Sequence, residues 1–321
     1  MNRTKQAICS GAPVIVVPRE MVTCRASSRF DTSREFWTFA VSALSVSLVC
    51  ECGRKRKFPK QAALEKASRR WAGVFLFAIC SLAATVMLAQ DHHADPAHSW
   101  TYFGERGPEH WGDLSPEFAA CGAGQAQSPI DITHPNVAQL PPIHFAYSAS
   151  PLKIIDNGHT IQVNYARGNT IGLDGKTYEL VQFHFHHPSE EEITGKRYAM
   201  VAHLVHKNSQ GKLAVVAVLI EEGDPNPLIS TLWNNLPPTK NKELERKSVE
   251  VHVADLLPSN HNYYTFDGSL TTPPCTEGVS WYVLETPLSL SKAQIEKFAS
   301  IYPRNARPIQ PLHNRVVRES K

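Results

Sequence analysis

Tyr178-Glu179-Leu180-Val181-Gln182-Phe183-His184-Phe185-His186 and Ala199-Met200-Val201-Ala202-His203-Leu204-Val205-His206 are the two stretches on which fold and chemistry turn. Both are short, rich in β-branched and aromatic residues, and flanked by turn formers, which reads as strand. Successive side chains of an extended chain point to opposite faces. Gln182, His184 and His186 therefore share one face, and Phe183 and Phe185 point the other way, into a core. The same alternation groups Val201, His203 and Val205. If the two strands lie in one sheet, three imidazoles converge on one point. Three neutral nitrogen ligands with a fourth position open are the donor set of a catalytic zinc site, because a structural site is closed by four protein ligands. A His-x-His pair alone is more often incidental than a metal pair. The third histidine, with Gln182 placed to bond a ligand's outer nitrogen, lifts the pattern above chance.

Outward from these stretches the sequence keeps the same character. Ile143-His144-Phe145, Ile161 to Tyr165 and Leu213 to Ile220 are further β-rich runs, separated by turns such as Asp156-Asn157-Gly158 and Leu173-Asp174-Gly175. Helical pattern is confined to Pro227 to Leu236 and to Ser291 to Ile301, the second opened by Ser289 or Ser291 as cap. Residues 91–321 thus read as one β-rich α+β domain, preceded by a polar linker over Asp91 to Ser99. With 321 residues, 42% of them apolar, the chain can bury a substantial core.

The net charge of +3 conceals two unlike parts. Residues 1–90 carry 14 Lys and Arg against 5 Asp and Glu, a balance of +9; residues 91–321 carry 19 against 25, a balance of −6. The basic part has no interleaved aromatics of the kind a nucleic-acid surface uses, so no nucleic-acid partner is expected. Its charges flank apolar runs, which is the layout of membrane targeting. Trp71 to Gln90 is uncharged and follows Arg69-Arg70, so residues 61–90 read as a signal peptide or, uncut, as a signal anchor. Either places the domain in the periplasm or outside the cell, tethered through 71–90 in the second case. Residues 1–60 read as an extension without a compact fold, or as sequence upstream of the true start. Five of the seven cysteines precede residue 91, leaving Cys121 and Cys275, and two cysteines in an exported domain suggest one disulfide.

Gln182 to His186, Ser189-Glu190 ahead of His203, and Ser269-Leu270-Thr271-Thr272-Pro273-Pro274 together resemble the α-class carbonic anhydrases of the exported bacterial type. Gly107-Pro108-Glu109-His110-Trp111, Gln127-Ser128-Pro129-Ile130-Asp131 and Asn305 to Leu312 extend the resemblance, and the fragments follow family order from about Trp100 to Arg315. The resemblance implies a large, mostly antiparallel twisted central sheet with short peripheral helices. It implies one Zn2+ on His184, His186 and His203, and reversible hydration of CO2 to bicarbonate and a proton by a zinc-held hydroxide.

Residue by residue, the resemblance assigns Thr271 to accept the hydroxide's hydrogen bond and pass its own proton toward Glu190, a direction that fits a hydroxyl beside an ionised carboxylate. Read without it, Glu190-Glu191-Glu192 is a run of solvated charges and Thr271-Thr272 is turn chemistry before Pro273-Pro274. His159 corresponds to the proton shuttle, a role suited to a group that titrates near neutrality; its plain reading is a solvated turn histidine. Val205, Val215, Leu270, Val279 and Trp281 correspond to the apolar wall for CO2, with Thr271 and Thr272 at the substrate. Gln182, Tyr102 and Asn157 correspond to outer groups that orient a ligand or order water. Cys121 and Cys275 occupy the positions that the bacterial members join. One departure stands out: the family usually carries glutamate two residues before the third ligand, bonded to its outer nitrogen, and here that residue is Val201. Loss of such a partner costs metal affinity, so Val201→Glu is expected to tighten the metal. His187 is expected to face away from it. The rival readings are a non-catalytic binding module of the same fold and a zinc esterase side activity. Monomer and homodimer are both open.

Overall fold

In the computed structural model residues 99–321 are described; the readings of 1–60, 61–90 and the linker up to residue 98 fall outside them. Among the described residues no helix is long and apolar enough to cross a membrane. The strands, in chain order, are β1 (Asp131–Ile132), β2 (Asn136–Ala138), β3 (His144–Ala146), β4 (Ser150–Asp156), β5 (Ile161–Asn164), β6 (Thr170–Leu173), β7 (Lys176–His186), β8 (Glu192–Ile193), β9 (Lys196–Arg197), β10 (Met200–Lys207), β11 (Leu213–Glu222), β12 (Leu244–Val251), β13 (Tyr263–Ser269), β14 (Glu277–Leu290) and β15 (Arg318–Ser320). The large sheet runs β12-β4-β5-β7-β10-β11-β14-β13-β15-β2, with β6 also on β7 and β3 on β6; β1, β8 and β9 form a small second sheet. Within the large sheet only β11 with β14 and β15 with β2 pair parallel, so the mostly antiparallel expectation holds.

The five anticipated strand runs form β3, β5, β7, β10 and β11. Of the strands of four or more residues, sequence reading missed β4, β6, β12, β13 and β14. β12 shows why: Leu244 to Val251 is largely charged and exposed, as suits an edge strand that must not recruit another chain, and its pattern is not that of a half-buried strand. Both anticipated helices are present but shorter, at Pro227–Trp233 and Lys292–Ala299. Asn226 caps the first through the Ile229 amide, and Ser291 caps the second in a box with Gln294. Each cap satisfies donors that would otherwise end without a partner. The two helices bury Leu228, Ile229, Leu232, Trp233, Ile295 and Phe298 in one core with Phe183, Phe185, Ala202 and Leu204.

The opposite face of the central strands carries a second apolar cluster, with Val201, Val215, Ala217, Val279, Trp281 and Val283 among its members. Strict alternation fails once in β7, and the failure positions the site. Tyr178 and Leu180 lie in the helix-side core together with Phe183 and Phe185, although the two pairs have opposite parity. Against β10, Gln182 faces Val205 and Leu180 faces His206, so Val181 is an extra residue. Such a bulge reverses which side chains face which way. It falls where β7 changes neighbour, from β6 up to Glu179 to β5 from Gln182 onward. Without it Gln182, His184 and His186 would be in phase with Leu180 and point into the core.

Candidate metal centre and cleft

β7 and β10 are adjacent and antiparallel, with His203 directly opposite His184 and Val201 opposite His186. Both strands thereby present histidines to the same face. One ring nitrogen from each of His184, His186 and His203 lies within 4.8 Å of the other two. The outer nitrogens are all occupied. His184 Nδ1 meets Gln182 Oε1 at 2.9 Å, and His186 Nδ1 meets the Asn305 carbonyl at 2.7 Å. His203 Nε2 lies 3.1 and 3.2 Å from the two carboxylate oxygens of Glu191. An acceptor at the outer nitrogen fixes the proton there and leaves the inner lone pair free. The inner atoms are therefore Nε2 of His184, Nε2 of His186 and Nδ1 of His203.

These residues fit a metal ion. His186 Nε2 is buried with no hydrogen-bond partner, and so is Glu190 Oε2. A buried polar atom without a partner is costly; a cation among three imidazoles would take up the His186 lone pair, and its charge would favour the ionised form of the Glu190 carboxylate beside it. Burial pushes His184 down to about 3, with a further downward push from His203, and lowers His186 strongly in the same way. Both imidazoles are thus held neutral, the form that binds a metal. Three imidazoles with an open side suit zinc in a catalytic role.

Glu190 and Glu191 are both fully buried, which overturns the reading of this run as solvated charges. Only Glu192 of the three behaves as a surface charge, paired with Arg197. Glu190 accepts the Arg307 backbone N–H at 2.8 Å, and the Thr271 hydroxyl is close enough to pull its carboxyl pKa down. Its free oxygen lies 3.6 Å from His186 Nε2 and 3.9 Å from His203 Nδ1. Burial raises its carboxyl to about 7, against the opposing pull of His203, the Arg307 amide and Thr271. Burial also lowers His203, but Glu191 and Glu190 more than offset it, and that imidazole ends above its ordinary value. Val201 is fully buried among apolar side chains. With Glu191 already at the His203 nitrogen, a carboxylate at 201 would add a second buried charge there, which argues against a tighter metal in Val201→Glu.

The cleft beside the triad has a volume of about 140 Å³ and is lined by Trp100, Tyr102, Asn157, His159, Gln182, His184, His186 and Thr272, among others. His159 is half-buried, not a free surface side chain. Its ring stacks on Trp100 with centroids 3.7 Å apart and planes 10° from parallel. Burial lowers its pKa, Lys240 adds to this and Asp156 opposes it. Asn157 chiefly builds the turn that presents His159, its Oδ1 accepting the backbone N–H groups of His159 and Thr160 at 3.0 and 2.9 Å. The Tyr102 hydroxyl is buried and has no partner. Val205, Val215, Leu270, Val279 and Trp281 all belong to the apolar cluster on the His203 face, and the Trp281 ring stands edge-on to His203 at 5.0 Å. Thr271 is buried and Thr272 half-buried.

His187 points away from the triad, Nδ1 to the Pro303 carbonyl. A larger concavity of about 690 Å³, over Tyr165, Arg167 and Lys207, contains none of the candidate residues. Cys121 and Cys275 form a disulfide. Sequence reasoning assigned no role to Glu191, Asn305 or Arg307. The last two stood in a quoted motif but lie 119 and 117 residues from the groups they hold, and nothing local signals such a contact.

A family model for eukaryotic-type carbonic anhydrases matches residues 106–321. A carbonic anhydrase of Pectobacterium carotovorum is 44% identical over 238 residues, 74% of this chain and 97% of that protein. One of Neisseria gonorrhoeae is 46% identical over 246 residues, 76% and 96%. The solved α-carbonic anhydrase of Photobacterium profundum superposes with a TM-score of 0.65 at 47% identity, covering 69% of this chain and all of that one. Fold, convergent histidines and these likenesses agree, and the chain belongs to the α-type carbonic anhydrase family of enzymes.

Proposed function

We propose that the chain binds one zinc ion through His184, His186 and His203 and catalyses reversible hydration, CO2 + H2O to HCO3− + H+. The observation that carries this is the orientation of the triad: every outer nitrogen is bonded, and the buried inner Nε2 of His186 has no partner. Bound zinc supplies a Lewis acid that makes a nucleophile of water near neutral pH, an effect for which carbonic anhydrase is itself the reference case, and a positive charge that favours ionised Glu190.

The protein's own groups do the rest. Ionised Glu190 only accepts, so the Thr271 hydroxyl directs its O–H toward Glu190 and keeps its lone pairs to accept from the reacting water. The Arg307 amide fixes the carboxylate that fixes Thr271. Val205, Val215, Leu270, Val279 and Trp281 offer CO2 a dry wall on the His203 face, with Thr271 and Thr272 at its rim. His159, at the cleft and half in water, carries the released proton outward. Tyr102 and Asn157 order water in the cleft. The Cys121–Cys275 disulfide supports an oxidising, exported location.

The test is metal analysis of the purified chain together with CO2 hydration by stopped flow. One zinc per chain is expected, and His184→Ala, His186→Ala and His203→Ala should each abolish hydration. Near-normal hydration by any of the three would remove the ligand assignment.

A further inference from the structure

His203 differs from its two companions in what holds it. Gln182 and Asn305 offer neutral carbonyl oxygens, whereas Glu191 offers a buried carboxylate whose oxygens sit almost equally far from Nε2, at 3.1 and 3.2 Å. Glu191 is held in place before any ligand arrives. The Ser189 hydroxyl donates to its backbone carbonyl at 2.8 Å and accepts the Tyr198 N–H at 2.9 Å, and the Ser189 N–H donates to the Tyr198 carbonyl. One residue later the chain enters β8, which is paired with β1 and with β9. The segment between β7 and β10 is therefore braced on both sides of Glu191. The nearest cations in sequence are engaged elsewhere, Lys196 with Glu221 and Arg197 with Glu192, and the Glu191 carboxylate has His203 as its hydrogen-bond partner. On β10 the neighbour on the His203 face is Val201, fully buried and apolar.

We propose that Glu191 is the positioning residue of His203: its carboxylate fixes the Nε2–H tautomer, turns Nδ1 inward and makes this imidazole the most strongly donating of the three, while Val201 fills with apolar volume the place on the strand where a second acid would compete. The inference rests on the zinc reading above and deepens it. A charged acceptor on a ligand's outer N–H raises ligand basicity, and removing such partners costs about 10–100-fold in metal affinity or activity.

The experiment uses the full chain loaded with zinc and follows transfer of the metal to a chromogenic chelator, with thermal unfolding of the metal-free protein in parallel. Glu191→Ala is expected to release zinc about 10–100-fold faster than wild type. Glu191→Gln, nearly isosteric and neutral, separates charge from shape and decides the matter should the alanine variant not fold; about tenfold faster release is expected of it. Glu192→Gln, the neighbouring surface acid, should release zinc at the wild-type rate. Val201→Glu should not slow release. Wild-type release by Glu191→Gln, with only the metal-free melting temperature lowered, would show that Glu191 is structural and overturn the proposal. Slower release by Val201→Glu would also overturn it, by showing that the His203 nitrogen still lacked an acceptor. A wild-type chain that takes up no zinc would instead sink the metal reading itself.

Discussion

Replacing Cys121 and Cys275 together by alanine should cost the protein a large part of its stability while sparing the metal centre. The bond joins residues separated by 154 positions, spanning most of the described chain. In the chain-entropy treatment, closing a loop of that length lowers the entropy of the unfolded state by about 17 cal/mol/K, or about 5 kcal/mol at 25 °C. Residual structure in the denatured chain reduces this figure, so a loss of about 3–5 kcal/mol is expected, or about 10 °C in melting temperature for a domain of this size. Local geometry should survive. The Cys275 N–H donates to the Thr272 carbonyl at 2.8 Å, and Gln127 donates to the Cys275 carbonyl at 3.0 Å. Those bonds hold the turn that carries Thr271 whether or not the sulfurs are joined. Urea titration and calorimetry of wild type, double alanine variant and reduced wild type give the comparison, with zinc content measured at 25 °C. A double variant within about 1 kcal/mol of wild type would refute the entropic reasoning. Lost zinc with intact stability would refute the claim that the turn is held independently.

Three further outcomes are expected. Thr271→Ala should lower kcat while zinc stays bound, and Thr271→Ser should recover much of the rate; full activity in the alanine variant would show that the hydroxyl does not orient the reactant. His159→Ala should reduce turnover in dilute buffer with little effect on the CO2-addition step, and added imidazole should restore part of it; unchanged turnover at low buffer would leave His159 as a turn residue only. His206 gives the acid limb of stability. Burial pushes it down to about 3, where it meets the Tyr147 hydroxyl at 2.7 Å. Between that value and the ordinary histidine range near 6.5 the unfolded chain binds the extra proton. This contribution is therefore fully present above about pH 6.5 and is lost at up to about 1.4 kcal/mol per pH unit below it. His206→Gln should flatten the slope of unfolding free energy between about pH 6 and 4.5 by about one proton, and an unchanged slope would place the titration elsewhere.

How much of this could be read beforehand depends on the range of the interaction. His184, His186 and His203 were legible because period-2 alternation is local, and the Gln182–His184 contact is two residues long. The helix caps at Asn226 and Ser291 lie within a turn of what they cap, and the helices were found. The Val181 bulge was invisible, since the residue is an ordinary valine and the need for it arises only where β7 changes partners. Glu191 was misread for a related reason. Three adjacent glutamates look alike in one dimension, and their burial is decided by the loop between β7 and β10. Asn305 and Arg307 stood in a motif whose purpose no local rule supplies.

The bulge and the outer bonds together explain why so polar a cluster sits on so apolar a sheet. One side of the central strands is committed to the helix-side core and the other to the cluster around Trp281, so the histidines occupy a face that would otherwise be filled by aliphatic residues. Each buried imidazole is tolerable there only if its outer N–H is bonded, and the three acceptors come from three places: the same strand, the loop after it, and a segment beyond residue 300. That last segment also carries Arg307, buried and donating to Gln127 Oε1 and to the Ser128 and Cys121 carbonyls, while its backbone N–H meets Glu190. The groups around the reacting centre are thus fixed by bonds that form only when the chain from Cys121 to Arg307 has closed on itself. Their orientation is settled in folding and need not be reached again in each turnover, which is the condition under which a polar site in a low-dielectric setting stabilises developing charge most effectively.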